Sequence, residues 1–446
     1  MSSLPLVSHA SPDSIIAWRA EGAVTRRRFL AEVSQLAALF PAGNHLLNMC
    51  SDRYRFSVGL AAAIVAGKVS LLPSTHTPGV VRQIKTFAPD VFCLADSDCT
   101  VDLPQMRYPD MGAGQPGSFA VPQIDSKQRI AVVFTSGSTG TPQPHPKTWG
   151  ALASSVQAEA LRLGLPHNTP CTIIGTVPPQ HMYGFESTVL MAWCNGNAFS
   201  HAQPFYPADI CQALAAVPAP RVLVSSPVHL RALLDAELEL PEISRVVCAT
   251  APLSVQLARD IEARCHAPLV EIYGSTETGL IATRCPTETA EWQLLPGIKL
   301  VVKGDCVRAC GGHIETRTVM NDLIEPVTDE HFLLRGRVAD LVNIAGKRHS
   351  LASLDHVLKT IPGVMDGAFY MPDETGHDHI TRLAACVVAP GMDAPHLLAA
   401  LREHLDPVFL PRPLLFVDEL PRNPTGKLPR AALRALFLAR SPRKSA

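Results

Sequence analysis

Between Phe134 and Pro142 every residue is serine, threonine or glycine: Thr135, Ser136, Gly137, Ser138, Thr139, Gly140 and Thr141. The preceding residues, Ile130-Ala131-Val132-Val133, are apolar and read as a buried strand. A strand that empties into such a loop offers many backbone N–H groups and hydroxyls with little side-chain bulk. Gly137 and Gly140 permit positive φ and close backbone approach. Together these features predict an anion-binding concavity sized for a polyphosphate. A flexible Ser/Gly linker would not sit directly behind a buried strand and run on into a helical segment. A Walker-type loop needs Gly-Lys-Ser/Thr at its end, and here the first lysine after the loop is Lys147.

The chain is too long for one ordinary core, at 446 residues, which predicts two domains. Its net charge is −1 with Lys and Arg scattered, so it lacks the basic footprint of a nucleic-acid or anionic-membrane binder. Met1-Ser2-Ser3-Leu4-Pro5 has no basic flank followed by a long apolar core, and the apolar run 59–67 is too short to span a bilayer. The twelve cysteines include no Cys-x-x-Cys pair. Free thiols and a cytoplasmic location are expected, and a metal at Cys306/Cys310 would lack a second ligand pair.

Apolar strand-like runs alternate with helical patterns. Residues 24–40 and 56–66 read as helical; 46–49, 68–72 and 91–94 read as strands. The pattern returns at 171–177, 221–225, 245–249 and 269–273, which predicts parallel α/β layers. Residues 294–334 are richer in short β-like pieces. After Arg335-Gly336-Arg337 a smaller α/β unit follows, with helices at 354–360 and 394–404 and strands at 367–371 and 382–388.

Downstream motifs occur in a fixed order. Tyr273-Gly274-Ser275-Thr276-Glu277-Thr278-Gly279 delivers an aromatic ring, a hydroxyl and a carboxylate at a strand end, where open α/β sheets bind ligands. Pro178-Pro179-Gln180-His181-Met182-Tyr183-Gly184, Thr250-Ala251-Pro252, Asn321-Asp322-Leu323, Gly336-Arg337 and Pro421-Arg422-Asn423-Pro424-Thr425-Gly426-Lys427 complete the set. With the loop at 135–140, this series resembles the acyl-adenylate-forming (AMP-binding) superfamily of acyl- and aryl-CoA synthetases, peptide-synthetase adenylation domains and luciferases.

The resemblance implies specific roles. Thr135, Ser136, Gly137, Ser138, Thr139 and Gly140 would cradle the phosphates of ATP. Tyr273 and Gly274 would flank adenine with Thr250, Ala251 and Pro252; Thr276 would meet the α-phosphate. Glu277 would ligate Mg²⁺, an ion that needs few carboxylates when phosphate oxygens share its shell. His181 would stand beside the acyl pocket, and Asp322 and Arg337 would grip the ribose. Asp322 can equally be read as a turn carboxylate, but fourteen residues separate it from Gly336, the spacing expected in the superfamily. Lys427 would bridge the carboxylate and the α-phosphate, as a compact ammonium on a flexible stem can.

The chain also departs from the pattern. Gln143-Pro144-His145-Pro146-Lys147 replaces the usual Lys-Gly-Val after the loop, and Ala339 stands at the hinge position beside Asp340. This variant, with an N-terminal part shorter than usual, is similar to AMP-ligases of aryl-polyene and related pigment pathways.

The implied fold is α/β. A large N-terminal adenylation domain (1–337) of layered sheets and helices would precede a small mobile α+β lid domain (338–446). The implied activity is ATP-dependent activation of a carboxylic acid, an aryl acid such as a hydroxybenzoate first. Medium-chain fatty acids and amino acids are the alternatives, as is a degenerate, non-catalytic nucleotide-binding protein. Rotation about Ala339 would withdraw Lys427 and admit a pantetheine thiol near Gly346. That thiol would come from CoA or from a discrete acyl carrier protein.

Overall fold

Continuous runs of Val, Ile and Leu become parallel strands covered on both faces, and the chain builds two such layers before residue 300. The computed structural model describes residues 2–73, 75–111, 120–136, 142–165, 170–303, 306–337, 341–344, 347–372, 383–423 and 426–440. Contacts divide the chain into two units, one of Met1–Lys299 with Ala309–Thr318, the other of Leu300–Arg308 with Val319–Ala446.

The first layer of the larger unit is a six-stranded sheet in the order Pro142–Thr148, Arg129–Ser136, Val69–Leu72, His45–Asn48, Val91–Ala95, Gln105–Arg107. All neighbours pair in parallel except the first two, which are antiparallel. Here the structure corrects the sequence reading. The phosphate loop does not run straight into a helix: Pro142–Thr148 is a strand, and the helix Trp149–Arg162 starts only after it, with the Thr148 hydroxyl capping Ala151 N–H. Prolines at 142, 144 and 146 bar a helix, but an edge strand tolerates them because its outward N–H groups need no partner.

The second layer runs Leu269–Ser275, Arg245–Cys248, Arg221–Ser225, Thr172–Gly175, Ala198–Ser200, Ile15–Arg19, all parallel. Gly279–Arg284 folds back antiparallel on Leu269–Ser275. Ile174, Leu214, Leu223, Val246, Ile261 and Leu269 form a core under this sheet with no measurable exposure. Each such side chain contributes about 1.5–3 kcal/mol of transfer free energy.

The smaller unit holds a three-stranded sheet in the order Asp366–Tyr370, Ala384–Val388, Leu414–Phe416. Its alternating side chains feed two cores. Phe369, Ala385 and Val387 pack with Leu354, Leu358, Leu397 and Leu401 of two helices. Ala368, Tyr370 and Cys386 pack with Leu433 and Phe437 of the helix Arg430–Arg440. Ahead of the sheet lies the hairpin Asp322–Pro326/His331–Arg337. Among the described residues no helix is long and apolar enough to cross a membrane.

Candidate active site

The strands Thr172–Gly175, Arg221–Ser225, Arg245–Cys248 and Leu269–Ser275 point the same way, so their carboxyl ends share one edge of the sheet. His181 follows the first, Thr250–Pro252 follows the third, and Tyr273–Glu277 runs from the end of the fourth into the turn beyond it. Parallel strands necessarily gather such loops, and this edge is where open α/β sheets take ligands.

His181 caps the short helical turn Met182–Gly184, its Nδ1 accepting from Tyr183 N–H at 3.4 Å. The loop before it is anchored by Arg53, a buried guanidinium that donates to the carbonyls of Gly175, Val177 and Ala202, each at 2.9 Å. Burial lowers Arg53 to about 10, still charged at neutral pH. Beyond Gly184 the chain makes a buried π-helical turn, Phe185–Leu190, a form often found at functional sites.

Thr250 has φ of +85°, a conformation that strains a β-branched residue and that surrounding structure must impose. Tyr273 packs its ring against Trp292 with centroids 5.4 Å apart. Gly274 is required by the hairpin: a Cβ there would lie 2.8 Å from Leu280 Cα and against the Gly279 carbonyl. The turn that follows is closed reciprocally, Ser275 N–H donating to Thr278 Oγ1 and Thr278 N–H to Ser275 Oγ, both at 3.2 Å.

Glu277 leads from this turn with its side chain 36% exposed, its carboxylate 3.8 Å from His145 Nε2. The same nitrogen lies 3.0 Å from the Thr135 hydroxyl. His145 therefore joins the phosphate-loop strand to the Glu277 turn. Burial lowers its pKa, an effect opposed by Glu277 and reinforced by Lys147. Among the described residues no group of three His, Cys, Asp or Glu is arranged to hold a metal. A lone carboxylate, about one-third exposed, fits Mg²⁺ held mainly by nucleotide oxygens.

Behind the turn is a cavity of about 80 Å³ lined by Lys147, Ser155, Glu186, Thr278, His313 and Glu315, among others. Burial lowers the Lys147 ammonium against the pull of Glu186, Glu277 and Glu315. Burial likewise raises Glu186 to about 7, despite Lys147 and a 2.9 Å hydrogen bond from Ser155. Of these residues the sequence motifs contained Lys147, the first lysine after the phosphate loop, and Thr278, and gave neither a place in such a cavity. His145 and Lys147 lie on one face of a strand, a period-two signal hidden by the intervening prolines.

In the smaller unit, Asp322 and Arg337 are direct cross-strand partners. Lys427 is exposed and its turn is clasped by Asn423, which accepts from Lys427 N–H and donates to its carbonyl, both at 2.8 Å. Ser136 ends its strand. Gly137, Ser138, Thr139, Gly140, Ala339, Asp340 and Gly346 lie outside the described residues.

Comparison with known proteins places this arrangement. A family model described as AMP-binding enzyme matches residues 63–309. The 4-coumarate–CoA ligase of Halorhodospira halophila is 30% identical over 306 residues, covering 66% of this chain and 73% of the relative. A 4-chlorobenzoate–CoA ligase of Arthrobacter sp. is 25% identical over 344 residues, covering 68% and 65%. ATP-bound MatB from Rhodopseudomonas palustris superposes with a TM-score of 0.82 over 96% of this chain and 97% of that one, at 19% identity. The o-succinylbenzoate–CoA synthetase of Bacillus subtilis with AMP gives 0.78 over 100% and 99%, also at 19% identity. The mixed α/β architecture of adenylate-forming enzymes thus extends over the whole chain, and on family model and sequence identity together the chain belongs to the AMP-binding enzyme family.

Proposed function

We propose that this protein adenylates a carboxylic acid with ATP, releasing pyrophosphate, and then passes the acyl group from AMP to a thiol, releasing AMP. One observation carries the reading: His181, Thr250–Pro252 and Tyr273–Glu277 stand at the carboxyl ends of parallel strands along one edge of a sheet in a member of the AMP-binding family. The carboxylate attacks the α-phosphate in line, and the protein contributes position and charge rather than covalent chemistry. Thr135 and Ser136, with Gly137 to Gly140, cradle phosphates; Tyr273, Gly274 and Thr250–Pro252 flank adenine. Thr276 meets the α-phosphate, and Asp322 and Arg337 take the ribose. Glu277 holds Mg²⁺, which supplies charge neutralisation on the phosphates when bound. Lys427 brings an ammonium to the oxygens that develop charge in adenylation. By function the chain divides at residue 337: residues 1–337, including the hairpin 322–337 that contacts group with the smaller unit, bind ATP and acid, and residues 338–446 carry Lys427.

The preferred substrate is an aryl acid such as a hydroxybenzoate. The relatives named 4-coumarate– and 4-chlorobenzoate–CoA ligase act on aryl acids by name, and they support this class over fatty acids and amino acids. The acceptor is CoA, as in those names, or a phosphopantetheine carrier. The departures at Gln143–Lys147 support a place among the ligases of aryl-polyene and related pigment pathways.

The test is ATP–pyrophosphate exchange with a panel of hydroxybenzoates, cinnamates, fatty acids and amino acids, followed by thioester formation with CoA and with a carrier protein. Exchange with aryl acids is expected. ATP binding with no acid-dependent exchange would replace this reading with that of a non-catalytic nucleotide-binding protein.

A further inference from the structure

The turn 275–279 has two faces. On the outer face the Glu277 carboxylate stands beside His145 and is one-third exposed. On the inner face consecutive carbonyls point into the small cavity behind the turn. Lys147 Nζ reaches the Glu277 carbonyl at 3.4 Å, and His313 Nε2 lies 3.1 Å from the Thr278 carbonyl. A carbonyl only accepts, so His313 carries its proton on Nε2. Both side chains are buried, Lys147 8% and His313 9% exposed.

We infer that Lys147 and His313 are positioning residues for Glu277, holding the turn by its carbonyls so that the carboxylate is aimed at the metal–nucleotide complex; the inference rests on the proposed adenylation function. Anchoring the carbonyls of residues 277 and 278 fixes the two peptide planes after Glu277. These contacts hold the Cα–C bond of Glu277, and the Ser275–Thr278 closure across the turn limits rotation about it, which narrows the direction of the Cα–Cβ bond. A buried ammonium makes a stronger hydrogen bond to a carbonyl than a neutral donor does. Glu186, oriented by Ser155 in the same cavity, pulls together with Glu277 and Glu315 against the burial that disfavours the Lys147 ammonium. Lys147 thus acts behind the turn, not as a phosphate-binding replacement for the loop lysine. Groups that orient a metal ligand from behind typically change metal affinity by about 10–100-fold when removed.

Calorimetric titration of the full chain separates the two roles, using ATP with Mg²⁺ and ATP with EDTA. In Lys147→Met the advantage of MgATP over metal-free ATP should shrink about tenfold. Metal-free ATP should bind as in the wild type, and Lys147→Arg should restore the advantage. Equal losses for both nucleotide forms would mean that Lys147 touches the nucleotide directly, and would overturn the inference. So would an unchanged advantage in a folded variant. If Lys147→Met does not fold, His313→Phe, which removes the donor to Thr278 and keeps a flat ring, is judged by the same two titrations. Wild-type protein that binds no ATP in either form would instead defeat the proposed function, and the inference with it.

Discussion

Asp322 and Arg337 stand opposite each other across an antiparallel hairpin, Cα partner to Cα partner, with Leu323 opposite Gly336 beside them. Fourteen residues of sequence separate Asp322 from Gly336. The hairpin turns that spacing into adjacency. Two residues of these types, side by side on neighbouring strands, suit the recognition of one diol.

If that diol is the ribose of ATP, Asp322→Ala should weaken ATP by about tenfold or more, the worth of a hydrogen bond to a charged group. The loss should be much smaller with 2′-deoxy-ATP, which lacks one of the hydroxyls. Steady-state KM values for both nucleotides, in wild type and variant, check this. Equal losses for the two nucleotides would make Asp322 a hairpin residue and nothing more.

Lys427→Ala should reduce acid-dependent pyrophosphate exchange by about 10²–10³-fold, the usual effect of deleting one electrostatic stabiliser of a transition state. Thioester formation from presynthesised acyl-adenylate should survive, because that step expels AMP by breaking the acyl carbon–oxygen bond and no charge develops on the α–β bridging oxygen that leaves with pyrophosphate. Parallel loss of both half-reactions would show that the two steps share one arrangement of the protein.

The turn bearing Lys427 is tied to the small sheet by Arg422. Its guanidinium donates to both oxygens of Asp366, at 2.7 and 2.8 Å, and to the Gly426 carbonyl at 2.9 Å. Burial raises the Asp366 carboxyl, but the Arg422 hydrogen bonds and Lys359 outweigh it and hold it below the usual range. Arg422→Ala should cost about 2 kcal/mol of stability by denaturant titration. An unchanged midpoint would show that the clamp is exchanged for water without loss.

Glu159 supplies a pH signature. It is fully buried on the helix Trp149–Arg162, and neither carboxyl oxygen has a hydrogen-bond partner of regular geometry. Burial raises its pKa from 4.5 to about 8, with the nearby Ser187 hydroxyl lowering it in part. Between those values the folded chain holds a proton that the unfolded chain has lost, so stability is complete below the unfolded value and falls as pH rises. Glu186 adds the same slope up to about 7. From pH 7 to 8 Glu159 should dominate, at no more than about 1.4 kcal/mol per pH unit. Glu159→Gln should flatten that segment of the Tm–pH curve. A variant with the wild-type slope would place the titration elsewhere.

The parallel strands were legible because burial on both faces demands uninterrupted apolar runs such as Arg221–Ser225, whose bounds the sequence predicts without error. Tyr273 to Glu277 was legible as a motif, and the structure adds why Gly274 must be glycine. The strand Pro142–Thr148 was not legible, since its prolines mask strand propensity and only an edge position permits them. The cavity cluster was hidden for another reason. Lys147 and Glu277 are 130 residues apart, and His313 comes from a third segment; no local pattern announces a contact made only by folding.

That proline-bearing strand has a consequence for assembly. In its ladder with Arg129–Ser136 the prolines occupy alternate positions, opposite Ser136, Phe134 and Val132. Alternate residues of an antiparallel edge strand turn their backbone groups away from the sheet. Where those residues are proline, the rim offers carbonyls but no N–H donors. Another chain seeking to extend the sheet would find half of every pairing missing. Among the described residues this border beside the phosphate loop is thus a blunted edge, one that disfavours strand addition by a neighbouring copy.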